Sequence, residues 1–133
     1  METHIEFTWE TIVVPMHPAA TGHTGAEVEF RGIVRETERG KPIAGLEYSA
    51  YQPMAQGKIR RILNQLCETW PCQEVWVIHR LGWVPICETS LYVRVHASHR
   101  EAAFRLCMEF IDLLKRDVPI WKGPAEPEPP LPE

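Results

Sequence analysis

Five basic side chains stand where an anion-binding site would need them. Lys115 and Lys122 flank Val118-Pro119-Ile120-Trp121, a segment too apolar to be an ordinary surface loop. An apolar wall beside an ammonium disfavours its charged form, and two neighbouring lysines disfavour each other's protonation, so one of the pair could act as base or nucleophile. Lys115 alone has a simpler reading: a cation in the last turn of a helix meets the carbonyl end of the dipole, an effect of about 0.3–1 kcal/mol. Arg35 falls at a strand end, and His99-Arg100 open a helix, where free amides favour a phosphate or carboxylate. On residue types alone, a solvated surface is the favoured account of those three. His96 and His99 lack a third Cys, His or acid at a recognisable spacing, so the sequence indicates no metal site. His79 and Arg80, at another strand end, either orient a site or make structural hydrogen bonds.

The elements that must carry these residues are legible from periodicity. Ser98 and Glu101 form a capping box, which predicts a helix from His99 to about Arg116, stopped by Pro119. Phe104, Cys107, Met108, Ile111 and Leu114 give its apolar stripe. A second helix begins at Pro53 and is marked by Ala55, Ile59, Ile62, Leu66 and Trp70, with Pro71 ending it. Its outer face carries Lys58, Arg60 and Arg61.

Residues 5–14, rich in β-branched and aromatic types, read as a first strand, and 15–24 as an irregular connection. Ala26, Val28 and Phe30 alternate with charged residues in a half-buried strand, where Gly32 suggests a bulge or a close backbone approach. After a charged loop at 36–42, Leu46, Tyr48 and Ala50 alternate in a strand expected to pair with the preceding one as a long hairpin. Residues 74–79 form a short apolar strand, 81–88 a connection, and Leu91, Val93, Val95 and Ala97 the strand that feeds the last helix. The expectation is an α+β fold: a largely antiparallel sheet with helices packed on one face.

Composition narrows the classes. A chain of 133 residues with 44% hydrophobic content suits a single domain, here 1–122, followed by a Pro/Glu-rich tail at 123–133 that can bury almost nothing. The net charge of −4 gives no reason to expect nucleic acid. No stretch approaches the ~20 apolar residues of a membrane span, and METHIEFTWE lacks the pattern of a secretion signal, so a cytoplasmic protein is expected. Cys67, Cys72, Cys87 and Cys107 lack paired Cys-x-x-Cys spacing and read as free thiols.

Four segments in order carry a family resemblance. They are Gly25-Ala26 leading into Phe30-Arg31-Gly32-Ile33-Val34-Arg35, Leu46-Glu47-Tyr48 through Tyr51 to Met54, Val77 to Gly82, and His99-Arg100 followed by Lys115 and Pro119-Ile120-Trp121-Lys122. Together they resemble the large, catalytic subunit of molybdopterin synthase over roughly residues 25–122. The resemblance implies a hammerhead-like α/β fold and a sulfurtransferase that makes the dithiolene of molybdopterin from cyclic pyranopterin monophosphate. Sulfur would arrive as the thiocarboxylate on the C-terminal Gly-Gly of a small ubiquitin-like partner, and two large subunits would dimerise within a heterotetramer.

It further implies that Lys115 and Lys122 are catalytic, that Arg35, His99 and Arg100 bind substrate, and that no metal or organic cofactor is required. Family members continue past the second lysine with a further basic residue, whereas this chain runs into Pro and Glu. The rival reading is a non-catalytic module on the same fold that captures an anion or a partner's tail. The lysine pair argues against it, because simple anion capture is usually served by arginine forks.

Overall fold

The computed structural model describes residues 1–15 and 21–123. The tail expected at 123–133 lies outside the described residues beyond Gly123, as does the middle of the connection at 15–24. The chain runs β1 (Glu2–Thr8), β2 (Ala26–Ile33), β3 (Thr37–Glu38), β4 (Lys41–Pro42), β5 (Gly45–Ala50), α1 (Gln52–Thr69), β6 (Glu74–Arg80), β7 (Gly82–Pro85), β8 (Thr89–Ala97), α2 (Arg100–Asp117) and β9 (Ile120–Lys122).

The main sheet has the order β1-β6-β8-β2, antiparallel except for the β1–β6 pair. The period-2 pattern explains it. Ala26, Val28 and Phe30 lie opposite Ala97, Val95 and Val93, so two apolar rows fall on one face. There they meet Ile59 and Leu63 of α1 and Leu106 and Phe110 of α2 in one core. The expected α+β fold with helices on one face is what forms. The other face of β8 is also buried but polar: the Tyr92 hydroxyl donates to Glu29, and His96 Nε2 donates to Glu27 at 2.7 Å.

A second sheet, β7-β5-β9, packs on a small core of Val34, Ile43, Leu46 and Val84. It corrects the sequence reading in three places. The expected hairpin between β2 and β5 does not exist: β2 pairs with β8, and β5 lies between β7 and β9. The bulge expected at Gly32 is present, and beyond it Val34 turns onto the 87–88 segment, donating to the Glu88 carbonyl and accepting from Cys87. That turn carries the chain out of the first sheet. The stretch 81–88 is not merely a connection, since Gly82 at φ 81 makes a tight turn into β7. Likewise the apolar segment before Lys122 is an edge strand, β9.

The first strand spans Glu2–Thr8 rather than 5–14. Its parallel partner β6 ends at Arg80, opposite Thr8, and the Leu81 amide then closes on the Thr8 carbonyl, so no ladder remains for later residues. In α1, Pro53 is the second helical residue rather than the first, after the N-cap Tyr51.

The α2 boundaries hold to within a residue, but the capping box does not form. His99 is the N-cap, and the Ser98 hydroxyl instead accepts from Gln73 Nε2 at 2.6 Å. The buried stripe is Ala103, Leu106, Cys107, Phe110 and Leu114, while Phe104 and Met108 are 59% and 54% exposed. Two interleaved apolar rows exist on this helix, and the sheet covers the one that carries the small Ala103. All four cysteines are free thiols, as expected.

Candidate active site

The two sheets meet at the C-terminal end of α2 and leave a cleft of about 550 Å³. Its position follows from the topology. Phe30 and Gly32 reach it from the end of β2, His79 from the end of β6, Tyr48 from β5, Lys115 from the last turn of α2, and Lys122 from β9. Arg35 enters just after β2, and Glu38 and Arg39 overhang from the β3–β4 hairpin.

Among the described lining residues, four cations, Arg35, Arg39, Lys115 and Lys122, face a single carboxylate, Glu38. Such a wall suits an anion. Lys122 Nζ donates to Glu38 Oε1 at 3.3 Å, with 53% of its side chain exposed. This ammonium is held by a carboxylate, not pressed against the apolar wall that the sequence suggested. Trp121 instead points outward, 55% exposed.

Lys115 has no hydrogen bond or ion pair among the described residues. The dipole reading weakens accordingly, because it is Lys58 Nζ that donates to the terminal Asp117 carbonyl, at 3.3 Å. Arg116 is taken up by a bidentate contact with Asp117. Lys115 alone of that turn's cations faces the cleft.

His99 and Arg100 are not in the cleft. Both are exposed at the first turn of α2, and at a rise of about 1.5 Å per residue Arg100 stands roughly 22 Å along the axis from Lys115. Within one copy of the chain these two cannot touch a small molecule held by the lysines.

The sequence allows His79 either to orient a site or to make structural hydrogen bonds, and it lines the cleft while making such a bond. It is 6% exposed, and its Nδ1 donates to the Arg80 carbonyl at 2.8 Å, which leaves Nε2 as the acceptor. Burial lowers its pKa from the ordinary imidazole value, with the Arg80 carbonyl opposing, so the ring is neutral at pH 7. Tyr48 packs edge-on at 5.1 Å. Arg80 itself pairs with Glu88 at 2.5 Å and is structural.

Sequence reasoning missed Glu38, Arg39 and Tyr48. The first two belong to the loop read only as a charged connection, and the signal was their closeness to Arg35. Elsewhere, Glu2, His4 and Glu74 bring ligand atoms within 4.8 Å of one another near the start of β6, away from the cleft at its other end. His96 turns to Glu27 and away from the exposed His99.

The model of the MoaE protein family matches residues 6–117. The chain belongs to the MoaE family. The molybdopterin synthase catalytic subunit of Rattus norvegicus is 44% identical over 98 residues, which is 74% of this chain and 49% of that protein. This MoaE chain spans about half the length of the first curated relatives it matches. Among solved structures, molybdopterin synthase from Staphylococcus aureus superposes with a TM-score of 0.73 at 33% identity, covering 86% of this chain and 88% of that one. A complex of subunits 1 and 2 of the molybdopterin-converting factor from Helicobacter pylori 26695 gives 0.64 at 27% identity, over 75% and 65%.

Proposed function

We propose that this chain is the catalytic subunit of a molybdopterin synthase. It transfers two sulfurs in turn to cyclic pyranopterin monophosphate, each from the C-terminal thiocarboxylate of a small ubiquitin-like subunit that leaves as a carboxylate after hydrolysis by water, giving the dithiolene of molybdopterin. The observation that carries the reading is the joint entry of Arg35, Lys115 and Lys122 into one cleft of a MoaE-family chain. Both reactants are anions, and a cation-lined cleft binds them and stabilises charge that develops as they react. Arg35 holds the phosphate of the substrate by its planar fork. Lys115 and Lys122 act as proton donor and acceptor while sulfur adds to the side chain of the pterin and the cyclic phosphate opens. Lys115, free of partners among the described residues, is the group nearest in kind to what an incoming carboxyl terminus would meet. The Helicobacter pylori complex of two subunits supports a small partner. The scheme uses no metal or organic cofactor, and free thiols suit a reducing, cytoplasmic setting.

His99 and Arg100 enter this scheme through a second copy. Since they lie about 22 Å from Lys115 along α2, they serve the same substrate only if a homodimer brings one chain's helix start to the other chain's cleft. The site is then shared.

The test is a reconstituted reaction with cyclic pyranopterin monophosphate and thiocarboxylated small subunit, following molybdopterin by its fluorescent oxidation product. Lys115→Ala and Lys122→Ala lose product formation, and Arg100→Ala loses it too. Mixing Lys115→Ala with Arg100→Ala chains restores about a quarter of wild-type activity, because half the random dimers carry one intact site. Unchanged activity in both lysine variants would refute the catalytic reading, and failure of the mixture to recover would refute the shared site. A folded chain that binds the small subunit yet makes no product would establish the binding-module reading instead.

A further inference from the structure

The β3–β4 hairpin is attached to the fold in an unusual way. Its two strands pair only with each other, Thr37 with Pro42 and Glu38 with Lys41, and with neither of the larger sheets. It turns through Arg39 and Gly40, at φ 52 and 77. Its roots are fixed, since Val34 and Ile43 are buried in the second core and the Ile43 amide donates to the Glu36 carbonyl at 2.9 Å. Between those roots, the one side-chain tie to the rest of the chain among the described residues is Glu38 Oε1 on Lys122 Nζ, at 3.3 Å. Glu38 and Arg39 both line the cleft. One ion pair therefore holds a carboxylate and a guanidinium at the rim.

We propose that Glu38 is a resident anion on Lys122 that the substrate's anionic group displaces, and that Arg39 then joins the binding of that group, making the hairpin the specificity element of the cleft. This rests on the reading that the cleft binds a phosphate-bearing substrate. Lys122 has no other partner among the described residues, so its ammonium is available to an incoming anion only at the expense of Glu38. The exchange is cheap, because exposed ion pairs contribute little. A bound phosphate repels the carboxylate left beside it, and the hairpin can move without breaking a ladder bond to either larger sheet. Arg39 rides on that movement, and its planar fork suits a phosphate better than a point charge would. Neutral ligands of the same shape have nothing with which to displace Glu38, so the hairpin discriminates by charge.

Calorimetric titration of cyclic pyranopterin monophosphate into wild type, Glu38→Gln, Lys122→Ala, the double variant and Arg39→Ala tests the idea, with circular dichroism checking each fold. Glu38→Gln binds about two- to fivefold tighter, the range set by an exposed pair. Lys122→Ala binds more weakly, and Glu38→Gln adds nothing in that background. Arg39→Ala weakens binding by up to about tenfold. Amide exchange at residues 36–42 of the free protein is faster in Glu38→Gln than in wild type, a readout that needs no substrate. Equal or weaker binding by Glu38→Gln, a gain that persists without Lys122, or unchanged exchange each overturns the displacement. Arg39→Ala binding like wild type overturns the role of the guanidinium. A wild-type protein that fails to bind the substrate overturns the catalytic reading and this inference with it. Binding that ignores Glu38 overturns the inference alone.

Discussion

Tyr48 and Lys122 are register partners across the antiparallel β5–β9 ladder, so the lysine enters the cleft from a strand of only three residues. The same tyrosine lies edge-on to His79. Lys122 is thereby fixed at its backbone and tied at its tip, among the described residues, only to Glu38, an arrangement that suits the exchange of a proton and an anion proposed for it. Lysine can give up its proton near neutral pH when its surroundings demand it, whereas arginine cannot. The Lys122→Arg variant should therefore keep KM for the pterin substrate within about threefold while kcat falls about 100-fold, the scale of losing one group that stabilises the transition state. Steady-state kinetics with saturating small subunit measure the split. A kcat near wild type would show that Lys122 supplies charge alone.

The two phenylalanines of α2 differ sharply. Phe110 is fully buried against the sheet and Phe104 is 59% exposed. Phe110→Ala should cost about 3–5 kcal/mol of folding stability, and Phe104→Ala within about 0.5 kcal/mol. Urea unfolding of the two variants decides which row of the helix faces the core.

That contrast marks where sequence reading stopped. Period-2 alternation in β2 and β8 and the apolar stripe of α1 depend on local pattern, and both were legible. The phase of α2 was not, because Phe104 and Met108 form a row with the same spacing as Leu106 and Phe110, and only the sheet decides between them. Strand pairing was misread for a similar reason. Neighbouring strands usually pair, but the Gly32 bulge and the turn at Val34 send the chain into another sheet, whose third strand arrives from beyond α2. That Lys115 and Lys122 would come together was legible, and both line the cleft. The separation of Arg100 from Lys115 was available too, since both lie on one helix whose rise is known.

Three glycines respond to alanine in opposite directions. Gly57 lies exposed in the interior of α1, and an added Cβ there meets nothing within 4 Å, so Gly57→Ala should raise stability by about 0.5–1 kcal/mol. At Gly45 the same atom would sit 2.5 Å from the Val84 carbonyl and 2.6 Å from the Trp83 ring, and at Gly25 it would sit 2.2 Å from the Ser98 carbonyl. Those substitutions force backbone apart and should lower stability by about 1–3 kcal/mol or more. Thermal melts of the three variants, run together, test the backbone approaches that shape the second sheet and the entrance to α2.

The pH dependence of stability should carry the signature of His79. Burial holds its folded-state pKa below the ordinary value of 6.5, while the unfolded chain takes up a proton near that value. Below pH 6.5 the unfolded state then binds more protons than the native one, so the stabilising contribution of the neutral ring is complete above that pH and is lost as the pH falls towards the folded pKa. Asparagine preserves a donor near Nδ1 for the Arg80 carbonyl but does not titrate. His79→Asn should be less stable than wild type at pH 8, having lost the ring that packs on Tyr48, yet its stability should decline less steeply between pH 6.5 and 5. The other histidines are common to both proteins, so the difference in slope isolates this one. Urea midpoints at half-unit steps of pH measure it. Parallel curves would mean that His79 takes up its proton over the same pH range in the folded and unfolded chains, and burial would then not be what keeps Nε2 an acceptor.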